Sequence, residues 1–167
     1  PLEGLVMGTR CGDIDPAVLF YNGRVTGWNN TRIEALLNES SGIKGLCGVN
    51  DMREVVERAE AGDEPARLAL SVFCYRIRKY VGAYLAVLGA IDALVFTGGV
   101  GENRAEVRAL ACEGMEKLGI RLDARRNASP VEQVSEIQAS DAEVKVLVVQ
   151  TNEELEIANE TMQLLSA

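Results

Sequence analysis

The sequence of 167 residues contains no histidine. Within this chain, that absence excludes a Ser-His-Asp triad, a histidine-ligated metal and a histidine general base. It contains no CxxC pair either: Cys11, Cys47, Cys74 and Cys112 are widely scattered, which argues against a zinc site or a thioredoxin-like motif. In a domain of this size they read as four reduced, mostly buried thiols rather than two disulfides. No apolar run reaches the ~18 residues that a membrane span needs, and no signal-peptide pattern stands at the start. Positive charge is in deficit, with 17 Lys and Arg against 25 Asp and Glu and a net charge of −8. An acidic chain offers no overall field for nucleic acid or an anionic membrane, so any bound phosphate must be held by local geometry.

What is present is ordinary for a globular protein: 47% hydrophobic and 25% charged residues. A chain of this length can bury roughly 70% of its unfolded surface and form one core without disulfides or metal.

Along the chain, residues 1–14 read as a Gly-rich loop with a short strand at Gly4–Met7. Asp15 and Pro16 start a brief helix through Phe20, which Asn22-Gly23 and Gly27 interrupt. A second short helix spans Thr31–Asn38. The stretch 41–50, SGIKGLCGVN, reads as turns around a short strand, and Asp51 caps a helix over Met52–Ala61. A long helix follows over Glu64–Leu88, with Val72, Phe73, Ile77, Tyr80, Val81, Tyr84, Leu85 and Leu88 as its buried stripe. Arg67, Arg76, Arg78 and Lys79 fall largely off that stripe, on a solvated or rim-exposed face.

Ala93–Thr97 and Val144–Val149 are apolar runs that fit buried strands of a parallel sheet. GGVGEN (98–103) reads as a loop leading into a helix over Arg104–Lys117 that Gly119 ends. Ile120–Leu122 reads as a short strand, 123–130 as loop and Val134–Ile137 as an edge strand. A final helix to Leu165 opens at Thr151, with Thr151 and Glu154 as a capping box. Alternating strands and helices indicate an α/β fold with a mostly parallel sheet and no inter-domain linker.

Three segments can carry chemistry. In open α/β sheets, ligands sit at the carboxyl ends of strands, which here are VFT-GGVGEN and VVQ-TNEE. GGVGEN is neither a dinucleotide fingerprint nor a Walker A loop, and by itself it is equally well a tight turn into a capped helix. In the third segment, GTRCGDIDP (8–16), Arg10 on a Gly-rich loop can grip an anion with its planar fork of donors. The alternative is a surface ion pair between Arg10 and Asp13 or Asp15.

LEGLVMGTRCGDIDP, GLCGVNDMRE, IDALVFTGGVGENRAEVR and KVLVVQTNEELEIA together, in this order, resemble the acetokinase family of acetate and propionate kinases over nearly the whole chain. The resemblance implies an actin/Hsp70/sugar-kinase fold, ribonuclease H-like, with this chain as the C-terminal nucleotide-binding domain portion over residues 1–167. It implies reversible phosphoryl transfer between ATP and a short-chain carboxylate, giving an acyl phosphate and ADP, with Mg²⁺ as cofactor, in a cytoplasmic homodimer. By position, Arg10 matches the Arg that steadies the transferring phosphoryl group. Asp51, Met52 and Arg53 match the border of the adenosine pocket, with helix cap and surface base as the alternatives for Asp51 and Arg53. Gly99, Val100, Gly101, Glu102 and Asn103 match the nucleotide loop, and Gly99 and Gly101 are expected where the backbone nears nucleotide or takes a positive φ. Glu153 matches the Mg²⁺-associated carboxylate.

A complete family member is more than twice this long. The resemblance therefore implies that an N-terminal domain, carrying the catalytic histidine and the carboxylate pocket, is absent from this chain and needed for activity. The alternative from another class is a non-catalytic nucleotide-binding or dimerisation fragment of such a kinase.

Overall fold

The structure, a computed structural model, describes residues 2–130 and 132–166. They divide into two compact units. One comprises the described residues through Ala90 with Glu106–Cys112; the other comprises Ile91–Ala105 and the described residues from Glu113 onward.

The first unit is helical. Helices α1 (Ala17–Thr26) and α2 (Asn30–Glu39) pack on each other, and α3 (Gly42–Cys47) and α4 (Met52–Glu60) both pack on α5 (Glu64–Leu88). Helix α7 (Ala105–Cys112) contributes its residues from Glu106. The expected strand at Gly4–Met7 is not formed, and SGIKGLCGVN holds the helix α3 rather than a strand. Helix α1 runs through Asn22-Gly23 and stops only at Gly27, because a helix tolerates one glycine whereas the left-handed Gly27 (φ 68°) ends it.

Asp51 and Asn29 cap α4 and α2 by accepting the Arg53 and Arg32 amides. Helix α5 has Pro65 in its first turn and ends at Gly89, as its sequence dictates. Its buried side is not the expected stripe, however. Ala66, Ala69, Leu70, Phe73 and Cys74 are buried, whereas Tyr84 and Leu88 are exposed. Periodicity finds the apolar face of a helix, but only the packed neighbours decide how far along the helix that face is covered.

The second unit is built on a three-stranded sheet in the order β1-β3-β2, with β1 (Ala93–Phe96), β2 (Val134–Glu136) and β3 (Lys145–Val149). β1 runs parallel to β3, pairing Leu94 with Val146 and Phe96 with Val148, and β2 is the antiparallel edge. The sheet is therefore mixed rather than mostly parallel. Val146, Val148, Phe96 and Ile137 are buried, while Val95 is exposed, so the strands bury one face more fully than the other.

GGVGEN is itself a helix, α6 (Gly98–Asn103), not a loop. The expected helix over 104–117 is divided: α7 ends at Cys112, Gly114 takes a φ of 76°, and a 3₁₀ turn covers Glu116–Leu118. Residues 123–130 contain the short helix α8 (Ala124–Ala128), capped by the Asp123 carboxylate on the Arg125 and Arg126 amides. Leu122 makes a single antiparallel bridge to Gln138 in place of a strand.

Helix α9 (Glu153–Leu165) is capped by Asn152, whose side chain accepts the Leu155 amide, and none of its described residues is buried. The expected capping box is absent because the helix starts at Glu153, so that Asn152 rather than Thr151 is the N-cap residue.

All four cysteines are free thiols, and Cys47, Cys74 and Cys112 are buried. Burial pushes the Cys74 and Cys112 thiols up to about 11 and about 12. Among the described residues, no helix is long and apolar enough to cross a membrane.

Candidate functional site

In the first unit, the chain around Arg10 is irregular but held at almost every residue. The Arg10 carbonyl accepts the Met7 amide at 3.0 Å, and the Leu37 carbonyl at the end of α2 accepts the Cys11 amide at 3.0 Å. The carbonyls of Met7, Gly8 and Thr9 accept the amides of Ile43, Lys44 and Ser41 at 3.0, 2.9 and 3.0 Å, so the loop serves as acceptor for the first turn of α3. Gly42 makes this contact possible. Its φ is 62°, and a Cβ there would lie 2.7 Å from the Arg10 carbonyl oxygen.

Further along the loop, the Asp13 carboxylate accepts the Gly4 amide at 2.7 Å and the Tyr80 hydroxyl at 2.7 Å, and Arg76 lies 3.7 Å away. The Tyr80 hydroxyl bond, then the Gly4 amide, hold Asp13 below the usual carboxylate range. The same bond raises the Tyr80 phenol to about 12. Asp15 accepts the Ala17 amide at the start of α1. Asp13 and Asp15 are thus committed to other partners, and the expected alternative of an Arg10 ion pair with either is not formed. Among the described residues, the exposed Arg10 guanidinium has no hydrogen-bond or ion-pair partner.

The Arg10 loop adjoins the Asp51 segment, since a Cβ on Gly8 would stand 3.3 Å from the Asn50 carbonyl oxygen. Asp51 and Arg53 form a forked pair at 2.6–3.1 Å, both exposed. The hydrogen bonds that Arg53 donates to the Asp51 carboxylate raise the pKa of Arg53 further. Met52 is buried, so its side chain packs inward while its backbone continues the segment.

The second unit places the remaining candidates at the carboxyl ends of β1 and β3. Gly98, not Gly99 or Gly101, takes the positive φ, at 72°. Gly101 lies against β1, where a Cβ would be 3.3 Å from the Phe96 carbonyl carbon, and Gly99 faces open space. The Asn103 amide donates to the Gly99 carbonyl at 2.9 Å. Glu102 does not extend outward. Its Oε1 accepts the Gly98 amide at 2.8 Å, the Thr151 amide at 2.9 Å and the Thr151 hydroxyl at 2.7 Å. The Thr151 amide and hydroxyl, and then Gly98, hold the carboxyl below its usual value. Two residues beyond Thr151, Glu153 opens α9 with an exposed carboxylate, followed by Glu154 and Glu156 in the same turn. Among the described residues, no group of three or more acidic or thiol side chains forms a metal cage.

Residues 1–159 match the Acetokinase family. The chain belongs to the acetokinase family. It is 56% identical over 98% of its length to an acetate kinase of Syntrophobacter fumaroxidans and 53% identical to one of Streptomyces avermitilis, spanning 40% and 41% of those proteins. The structure superposes on an acetate kinase of Porphyromonas gingivalis with a TM-score of 0.90 at 44% identity, covering 99% of this chain and 42% of that one. It superposes on a propionate kinase of Francisella tularensis with a TM-score of 0.88 at 44% identity, covering 96% of this chain and 41% of that one. The fold is accordingly that of the actin/Hsp70/sugar kinases, of which this acetokinase chain holds a portion, and it spans about two-fifths of the length of the curated relatives it matches.

Sequence reasoning about this acetokinase missed the anchors of the Arg10 loop. Asp13 was visible as a charge near Arg10, but Tyr80 lies 67 residues further on and carries no local signal. Thr151 was visible only as a helix cap, because its partner Glu102 lies 49 residues away in α6.

Proposed function

We propose that these residues form the C-terminal nucleotide-binding portion of an acetokinase that transfers the γ-phosphoryl group of ATP reversibly to a short-chain carboxylate, acetate or propionate. A carboxylate oxygen forms the new bond to the γ-phosphorus as the bond to the bridging oxygen breaks, and ADP leaves with that electron pair. The transition state spreads charge over the equatorial oxygens, and positioning plus positive charge supplies most of the catalysis.

The observation that carries the reading is Arg10. Its loop is anchored to α2 through Cys11 and to α3 through Met7 and Gly8, while among the described residues its guanidinium is committed to nothing. In this reading Arg10 meets the transferring phosphoryl group. The Gly99–Asn103 segment, with Val100 between its glycines, lets nucleotide approach the backbone, and Asp51, Met52 and Arg53 border the adenosine.

A bound Mg²⁺ would neutralise phosphate charge. This ion keeps several waters and takes one or two carboxylates plus phosphate oxygens, so the exposed Glu153 suits it without a protein cage. Glu153 would hold the ion or its waters. The reading includes a cytoplasmic homodimer, with the carboxylate pocket outside these residues.

In the full-length acetokinase carrying these residues, Arg10→Ala is expected to lower kcat by ~10³–10⁵-fold with little change in the KM for ATP. Arg10→Lys recovers part of the loss, because an ammonium lacks the fork. Near-normal kcat with a slightly lower melting temperature would overturn the assignment. The second reading is a nucleotide-binding or dimerisation fragment of such a kinase, without catalysis. ATP binding without acyl phosphate formation in that same polypeptide would select it.

A further inference from the structure

Glu102 lies in the segment matched to nucleotide, yet its Oε1 is turned back into the protein. It takes the amide that opens α6, Gly98, and both donors of Thr151 in the connection from β3 to α9. β1 and β3 are parallel neighbours, so their carboxyl ends lie side by side, and one carboxylate oxygen joins the two segments that leave them. Thr151 is separated from Glu153 by Asn152 alone, which caps α9. A displacement of Thr151 therefore moves the start of α9.

We propose that Glu102 is a positioning residue that fixes the Thr151–Glu153 segment against the Gly98–Gly101 backbone, so that the Glu153 carboxylate stands ready for the metal ion of a metal–nucleotide complex. The proposal rests on the reading of Glu153 given above. The carboxylate is suited to the task because three donors converge on one charged oxygen, and charge-assisted hydrogen bonds are the stronger kind. It is charged at neutral pH, being held below its usual value by those donors. Partners that orient a metal ligand from behind typically change metal affinity by ~10–100-fold when removed. Glu102 would act in this way through the backbone rather than by touching the ion.

The test uses the full-length polypeptide and two readouts. Hydrogen exchange of the Gly98 and Thr151 amides reports the clasp itself, and Glu102→Ala is expected to speed both by about tenfold or more. Calorimetric titration with ADP, with and without Mg²⁺, reports the consequence. Glu102→Ala is expected to reduce the Mg²⁺ enhancement of ADP binding, taken as the ratio of affinities with and without the ion in the same variant, by about tenfold. Glu102→Gln, which keeps an acceptor oxygen in place, should fall between Glu102→Ala and the unaltered protein. Combined with Glu153→Gln, Glu102→Ala should add no further loss, because both act through one carboxylate.

If Glu153→Gln leaves the enhancement intact, the metal reading of Glu153 fails, whatever Glu102 does. If Glu153→Gln abolishes it while Glu102→Ala leaves it unchanged, the positioning role fails and the metal reading stands. Should Glu102→Ala not fold, Thr151→Val removes the hydroxyl donor alone, and an unchanged Mg²⁺ enhancement in that variant overturns the proposal.

Discussion

Gly42 shows how much of the Arg10 geometry depends on one residue having no side chain. It combines a φ of 62° with a carbonyl oxygen 2.7 Å from where its Cβ would be, whereas Gly48 has a φ of 84° and open space around it. Gly48→Ala should therefore cost only the left-handed strain, about 1 kcal/mol. Gly42→Ala should cost clearly more, because backbone must also give way, and backbone cannot swing aside as a flexible side-chain end can. Urea unfolding of the two variants measures the difference, and equal losses would show that the Arg10 loop moves away freely. Arg10 itself was legible from sequence, since an Arg amid glycines is an exposed donor fork on a loop. Its rigidity was not, because that comes from Leu37, Ser41, Ile43 and Tyr80, which only folding brings together.

Among the elements, three arginines that resemble surface charge close the ends of helices. Arg58 donates to the carbonyl of Cys47, the last residue of α3, at 3.1 Å, and Arg67 to that of Ala59 in the last turn of α4 at 3.0 Å. Arg78 of α5 donates to the carbonyls of Leu110 and Ala111 in the last turn of α7. Helix C-termini leave carbonyls without partners inside the helix and carry partial negative charge, so a guanidinium satisfies both needs. Of the expected solvated or rim-exposed face of Arg67, Arg76, Arg78 and Lys79, Arg67 and Lys79 are exposed, whereas Arg76 and Arg78 are half-buried and bonded to backbone carbonyls. Arg78→Met keeps the aliphatic stem and removes the donors. It is expected to destabilise the protein by ~1–3 kcal/mol, the cost of leaving part-buried carbonyls unsatisfied. Glu64→Ala, which breaks the exposed 2.8 Å pair with Arg67, should cost ~0–1 kcal/mol. Thermal melts compare the two, and equal small shifts would make Arg78 a surface residue.

Across the whole molecule, acid stability should follow the carboxylates. Asp13, Glu102, Asp123 and Glu136 are all held below their ordinary values, by Tyr80, by Thr151, by the Arg126 amide and by Lys145 respectively as the leading cause. Each group holds fewer protons folded than unfolded at pH values between its folded and unfolded pKa. Its stabilising contribution is therefore fully present above the unfolded carboxylate range of ~4 and is lost as the pH falls through the depressed folded values. The urea midpoint should be flat above about pH 5 and decline below about pH 4. A midpoint that rises on acidification would contradict this account.

The sequence by itself determined the family, the α/β class, the long helix over Glu64–Leu88, the two apolar strands and the Asp51 cap. These are local matters: periodicity, capping residues and glycine stops act within a few positions of one another. The candidate residues Arg10, Gly99–Asn103 and Glu153 were legible through the resemblance of their short segments to the acetokinase family. Only the tertiary structure decided that GGVGEN is a helix, that α7 ends at Cys112 and that α5 buries its N-terminal half. It also decided that Glu102 faces Thr151 and that Asp13 faces Tyr80 rather than Arg10. Each of these depends on groups far apart in sequence competing for the same donor or the same surface, and that competition is resolved only when strand ends and helix faces meet.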